Sequence, residues 1–229
     1  MREARIDLAT IRANVEALLV AGVLDGADVA AGAYGHGAVE VARAATDGGA
    51  GSLVVRSPAE QLALRDAGIR VPVSISLEVG SDASAALYGL GPVAAEHGCV
   101  PAMRVSAGVM SLKTIDAGEG VSYGYTWRAP RRTNLALVPL GYADGLTRAA
   151  SNLGRVLLGG ALRPIVGRVA MDVIVLDLGT DIVYLGAEAV LFGPGSAGEQ
   201  TADQWATALG LAALDATTGI GARVPRSFS

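Results

Sequence analysis

The chain has 229 residues, a formal net charge of -4, and a composition that is 51% hydrophobic and only 17% charged. That length suits one or two domains with a sizeable core, and that hydrophobic share excludes a disordered chain. The mildly acidic balance offers no basic stripe, so nucleic acid is not an expected partner. A single cysteine, Cys99, excludes an internal disulfide framework. Two histidines, His36 and His97, are too few for a convincing metal site. No apolar stretch follows Met1-Arg2-Glu3-Ala4-Arg5 as a signal peptide would require, and no run of about 18 apolar residues is present to span a membrane. A soluble cytoplasmic protein is the expectation. Of 18 basic residues only Lys113 is a lysine.

In chain order, Leu8, Ile11, Val15, Leu18 and Leu19 form one apolar stripe, which predicts a helix that Asp7 caps. Ala27 to Ala31 reads as a short strand, Ala33 to Gly37 as a turn, and Ala38 to Asp47 as a helix with Val39, Ala42 and Ala45 inward. Ser52 to Val55 reads as a strand. Ser57, Pro58 and Glu60 start a helix, with Ser57 as cap, Pro58 at the first position and Glu60 reaching back. It carries Leu62, Leu64 and Ala67 and ends at Gly68, before a strand over 71–77. Alternating strands and helices with short connections predict βα units on a parallel sheet. Only about three such units are legible, where a closed barrel has eight and roughly 250 residues. Gly80 to Ser84 is small and polar, with no element assigned.

From about Ala102 the texture changes. Short apolar runs at 135–140, 156–158, 165–166, 173–178 and 189–192 alternate with glycine turns, and Gly159-Gly160 reads as a hairpin turn. This predicts an all-β domain. A capping box at Thr201 to Gln204 opens a late helix carrying Trp205 and Leu209.

Several motifs stand in a fixed order: Ala-Tyr-Gly-His-Gly at 33–37, Leu-Tyr-Gly-Leu-Gly-Pro at 87–92, Gly-Glu-Gly-Val-Ser-Tyr-Gly at 118–124, and Gly-Tyr-Ala-Asp-Gly at 141–145. Gly-Arg-Val-Ala-Met-Asp at 167–172 and Arg-Val-Pro-Arg at 223–226 complete the set. Each alone is an ordinary glycine-rich turn. As an ordered set they closely resemble the alanine racemases, over the whole chain except a gap near 78–86.

The resemblance implies a pyridoxal-phosphate-binding βα barrel followed by a β domain, working as a head-to-tail homodimer. It implies a racemase (isomerase) that interconverts L- and D-alanine and supplies D-alanine for the bacterial cell wall (peptidoglycan). In such an enzyme a lysine holds the cofactor, whose ring serves as an electron sink. Racemisation also needs a base on each face of the α-carbon. By this resemblance Tyr123 matches the catalytic tyrosine, Tyr142 and Met171 match residues facing the substrate carboxylate, and Tyr34 matches the tyrosine near the cofactor phosphate. The cofactor lysine is missing. It should stand a few residues before Tyr34, yet Gly26 to Tyr34 contains none, and an ungapped alignment puts Ala30 in its place. Lys113 reads as a solvated surface residue of the β domain. Asp82 occupies the place of an arginine against the pyridine nitrogen, Ser84 and Ala85 that of the amides that would bind phosphate, and Leu214-Asp215 that of Tyr-Glu.

The expected fold is therefore α/β plus all-β: a truncated TIM-type barrel over 1–105 and a β-rich domain over 106–229. The partial barrel should leave strand edges and apolar faces open. The expected function is alanine racemisation by descent, weak or lost, with pyridoxal phosphate as family cofactor but no covalent lysine. The alternative is a non-catalytic remnant, or an interaction module that pairs with a full-length racemase through its β domain. Alanine and a racemase subunit are the expected partners.

Overall fold

The computed structural model describes residues 1–78 and 80–229. Val79, inside the 78–86 junction, lies outside the described residues. Two compact units share the chain ends. One, the β unit, comprises Met1–Ala4, Arg104–Ala212 and Gly219–Pro225; the other, the barrel unit, comprises Arg5–Met103, Ala213–Thr218 and Arg226–Ser229.

The chain opens on a strand, β1 (Arg2–Ile6), where sequence reading assigned none. Its arginines and glutamate hid an alternation that buries Ala4 and Ile6. The helix α1 (Leu8–Val20) follows, and the Asp7 side chain accepts from Thr10 N at 2.8 Å as the cap. Asn14 is buried on its inner face, where it donates to the carbonyls of Leu87 and Val100 and accepts from Val100 N. Burial of that amide is tolerable because its hydrogen bonds are made.

β2 (Ala27–Asp28) is shorter than expected. The chain leaves it in a tight helical turn, α2 (Ala30–Tyr34), in which Ala31, Gly32 and Ala33 have φ of 51°, 66° and 56° and Tyr34 has φ of 48°. Left-handed backbone costs a side-chain-bearing residue about 1–2 kcal/mol, so this turn needs external support. α3 (Ala38–Asp47), β3 (Leu53–Val55), α4 (Pro58–Asp66) and β4 (Val73–Ile75) then complete the expected pattern. The strands pair in parallel in the order β2-β3-β4, with Leu53 opposite both Ala27 and Val73. Beside the edge strand β4, Ile75 and Leu77 are exposed.

The small, polar junction forms two short helices, α5 (Asp82–Leu87) and α6 (Gly91–Glu96). Ser81 caps the first by accepting from Ser84 N.

In the β unit, the strands are β5 (Met103–Gly108), β6 (Ser111–Ile115), β7 (Gly120–Val121), β8 (Trp127–Arg128) and β9 (Thr133–Val138). β10 (Arg155–Leu158), β11 (Ala161–Pro164), β12 (Ile174–Gly179) and β13 (Glu188–Phe192) follow. β11-β10-β13-β5 run antiparallel in one sheet and β12-β9-β6 in another. Ile115, Val121, Ala129, Leu135 and Val166 pack as one apolar cluster. Gly159 and Gly160, at φ of 62° and 76°, make the hairpin that sets Leu158 opposite Ala161. α7 (Ala202–Leu209) has the reciprocal cap between Thr201 and Gln204 and buries Trp205.

Two late elements belong to the barrel unit: α8 (Ala213–Thr218) and β14 (Arg226–Phe228). Gly35 is required there, since a Cβ at that residue would lie 2.3 Å from Thr217 O.

Candidate functional site

Three of the four motif residues fall in the β unit, and a single segment, Gly167 to Met171, organises them. Ser122 Oγ donates to Arg168 O at 2.6 Å, which fixes the turn carrying Tyr123. Gly167 permits this approach, because a Cβ there would meet Val121 O and Ser122 Cβ at 2.8 Å. Tyr142 N donates to Ala170 O and Ala143 N to Met171 O, both at 3.0 Å, which seats Tyr142 beside Met171. Gly141 has no Cβ for the same reason: one would stand 2.2 Å from Met171 O. Tyr123, Tyr142 and Met171 are 74%, 41% and 52% exposed. The Arg148 guanidinium lies over the Tyr142 ring, 5.8 Å from its centroid.

Beneath this surface lies a carboxylate whose role the motifs did not disclose. Asp144 is buried, accepts from Gly141 N at 2.9 Å, and pairs with Arg2 and Arg223 at 3.3 Å each. Arg223 also reaches Asp172 at 2.6 Å. The Gly-Tyr-Ala-Asp-Gly and Arg-Val-Pro-Arg motifs are thus joined by charge, a pairing between residues 79 positions apart along the chain that local sequence does not announce.

The barrel unit holds Tyr34 in the opposite way. Its ring is 9% exposed and its hydroxyl donates to Asp28 Oδ2 at 2.8 Å. Arg56 Nη2 reaches Asp28 Oδ2 at 2.5 Å and the Tyr34 hydroxyl at 3.1 Å, and Ser84 Oγ donates to the same carboxylate oxygen at 3.2 Å. Tyr88, fully buried, donates to Asp28 O at 2.6 Å. Burial, then the hydrogen bond and charge of Asp28, push the Tyr34 phenol up to about 12, so it stays a neutral donor. Burial alone would lower Arg56; the hydrogen bond and charge of Asp28 outweigh it and hold the guanidinium above its ordinary value.

The same network supports the left-handed turn. Glu60 reaches back as expected, but further: Oε2 accepts from Arg56 N at 2.9 Å and Oε1 from Ala31 N at 2.8 Å. His36 Nδ1 lies 3.0 Å from Ala33 O and 3.2 Å from Tyr34 O, and Arg226 Nε donates to Gly35 O at 3.0 Å. His36 is fully buried, which pulls it down to about 4 and keeps it neutral.

These residues do not fit a lysine-held pyridoxal phosphate. Ala30 is buried and carries no amine. Lys113 sits exposed on β6, in the β unit. Ser84 N is taken by Ser81 Oγ and Ala85 N by Ser81 O, so neither amide is open to a phosphate. Gly80 packs directly on the Tyr34 hydroxyl, 2.3 Å from where its Cβ would be. Asp82, in the place of an arginine, is exposed on the first turn of α5. Among the described residues no group of three or more histidine, cysteine, aspartate or glutamate side chains is placed to hold a metal ion, and no helix is long and apolar enough to cross a membrane.

Residues 6–99 match the family model for the alanine racemase N-terminal domain, and residues 102–228 that for the C-terminal domain. The alanine racemase of Salinispora arenicola is 54% identical over 145 residues, covering 62% of this chain and 39% of that protein. That of Streptomyces coelicolor is 49% identical over 148 residues, covering 62% and 38%. The chain spans about two fifths of the length of these curated relatives. Among solved structures, alanine racemase from D-cycloserine-producing Streptomyces lavendulae superposes with a TM-score of 0.92 at 28% identity, over 100% of this chain and 97% of that one. The Bartonella henselae alanine racemase, solved with covalently bound pyridoxal phosphate, has the same fold, with a TM-score of 0.88 at 20% identity over 100% and 99%. With both domain models matched in order along a partial βα barrel and a β domain, the chain belongs to the alanine racemase family.

Proposed function

We propose that this chain is an alanine racemase by descent whose own interconversion of L- and D-alanine is weak or lost. The observation that carries this reading is the contrast between the motif residues of the β unit and that of the barrel unit. Tyr123, Tyr142 and Met171 are presented at the surface by a well-anchored segment, while Tyr34 is locked to Asp28 and Arg56 and the stretch from Gly26 to Tyr34 contains no lysine. Pyridoxal phosphate, alanine as substrate, D-alanine supply for peptidoglycan, a cytoplasmic setting and a homodimer belong to this reading through the family. The domain limits that go with it are 1–105 and 106–229. Tyr123 is the proposed catalytic residue, Tyr142 and Met171 the substrate-binding ones, and Tyr34 the residue that family resemblance puts near cofactor. Without a lysine the barrel unit supplies no base for the second face of the α-carbon and no tether for a cofactor ring. Several kcal/mol of orientation advantage go with that tether.

The exposure of the three β-unit residues favours a second role: an interaction module that offers Tyr123 to a full-length racemase. The test is paired. D-alanine formation is measured for the purified chain alone, then for the chain mixed with a full-length racemase whose catalytic tyrosine is replaced by phenylalanine. Background activity alone is expected. Restored turnover in the mixture supports the module reading, silence in both supports the remnant, and robust turnover by the chain alone contradicts the deficiency.

A further inference from the structure

The polar cluster of Asp28, Arg56 and Ser84 around Tyr34 has the composition of an anion site. It offers a guanidinium, a phenol and a hydroxyl, all pointing at one oxygen, and that oxygen belongs to the chain itself. We infer that Asp28 is a tethered occupant: its carboxylate takes the donors that a phosphate group would use, and so closes this end of the barrel unit to phosphate esters.

The distances support this. Arg56 Nη2, the Tyr34 hydroxyl and Ser84 Oγ converge on Asp28 Oδ2 at 2.5, 2.8 and 3.2 Å. Arg56 Nη1 is buried without a hydrogen-bond partner among the described residues, a donor left over once Nη2 is engaged. Arg56, Ser74, Ser84 and Asp28 line a cavity of about 340 Å³, together with the exposed carboxylates Asp25 and Glu78. Room and donors are therefore present, and charge decides. Asp28 and Arg56 cancel, and Asp25 and Glu78 add only further negative charge from exposed positions, so a phosphate dianion entering here would meet a buried carboxylate with nothing to offset it. An amide in place of that carboxylate keeps an acceptor for Tyr34 and Arg56 and removes the one charge hydrogen-bonded to the guanidinium, the exposed Asp25 and Glu78 being screened by solvent, which favours an anion.

The probe is inorganic phosphate, titrated against the wild-type chain and Asp28→Asn at fixed ionic strength with chloride as reference. It is followed by calorimetry and by the urea midpoint, since a ligand of the folded state raises that midpoint by mass action. Wild type is expected to show no saturable phosphate binding, and Asp28→Asn to bind at least about tenfold more tightly than the wild-type limit. If Asp28→Asn is too unstable to titrate when folded, the same gain appears as phosphate-dependent refolding. Saturable one-to-one binding by wild type that is lost in Arg56→Gln overturns the inference. So does an Asp28→Asn chain whose folding and binding are indifferent to phosphate. No racemase enters the assay, so its result is independent of whether Tyr123 works in trans.

Discussion

Tyr123 and Tyr34 are both motif tyrosines in turns with left-handed backbone, and they differ in exposure and in what their hydroxyls touch. Tyr123 stands 74% exposed on a turn that the Ser122 and Thr126 hydroxyls anchor to Arg168 O and the Asn152 amide. Tyr34 is 9% exposed, sits in left-handed backbone, and has its hydroxyl committed to a carboxylate and a guanidinium. The first arrangement leaves a phenol available to another molecule. The second spends the phenol on keeping a strained turn in place. A motif therefore identifies where a residue descends from, while its hydrogen bonds determine what it is free to do.

Breaking the buried side of this comparison should have the largest effect. Asp28→Ala leaves the Arg56 charge without its partner in a largely buried setting, which costs about 3–5 kcal/mol. Urea denaturation of wild type and variant checks this. A loss below about 1 kcal/mol would mean that the pair is solvated in solution.

The second effect is pH-dependent and of comparable size. His36 is neutral in the folded chain, pulled down to about 4 by burial, whereas in the unfolded chain it protonates near 6.5. Between those values the unfolded state binds the extra proton, so stability is complete above about 6.5, falls as pH drops toward 4, and levels below. The loss is at most about 3 kcal/mol. Denaturation midpoints between pH 7 and pH 4 should show it, and His36→Gln should remove that part of the slope.

Glu60→Ala tests the support of the turn. It removes acceptors from Ala31 N and Arg56 N, and about 1–2 kcal/mol should go with them. Hydrogen exchange should speed up at Ala31 in step with the loss of stability. Protection at Ala31 unchanged would show that the left-handed turn stands without Glu60.

The exposed side should give the smallest change. Tyr123→Phe removes a hydroxyl at the surface and should alter stability by less than about 0.5 kcal/mol. In the mixed assay with a tyrosine-deficient racemase the same change should abolish any rescue. A large loss of stability would mean that Tyr123 is structural.

Much of this was legible in the sequence where local chemistry decides the outcome. Asp7, Ser57 and Thr201 announced their helices because a cap is a contact between residues three apart. Gly159-Gly160 announced its hairpin. The family motifs named Tyr123, Tyr142 and Met171. The left-handed turn was hidden because alanine and tyrosine, unlike glycine, give no sign that φ will be positive. α5 and α6 were hidden by their shortness, and β1 by its charged residues. The Asp28–Arg56 pair spans 28 positions and the Asp144–Arg223 pair 79; both depend on tertiary folding, which a linear motif does not encode. Likewise the anchors at Arg168, Ala170 and Met171 are carbonyls, identical in every residue type.

The barrel unit contains no lysine to hold a cofactor. Incubation with pyridoxal phosphate at near-stoichiometric concentration, followed by borohydride and peptide mass analysis, reads this in one step, because Lys113 is the single lysine of the chain. The predicted result is no stoichiometric pyridoxyl-lysine. Stoichiometric, saturable modification of Lys113 would contradict it and would mean that the chain has rebuilt its site around the β unit.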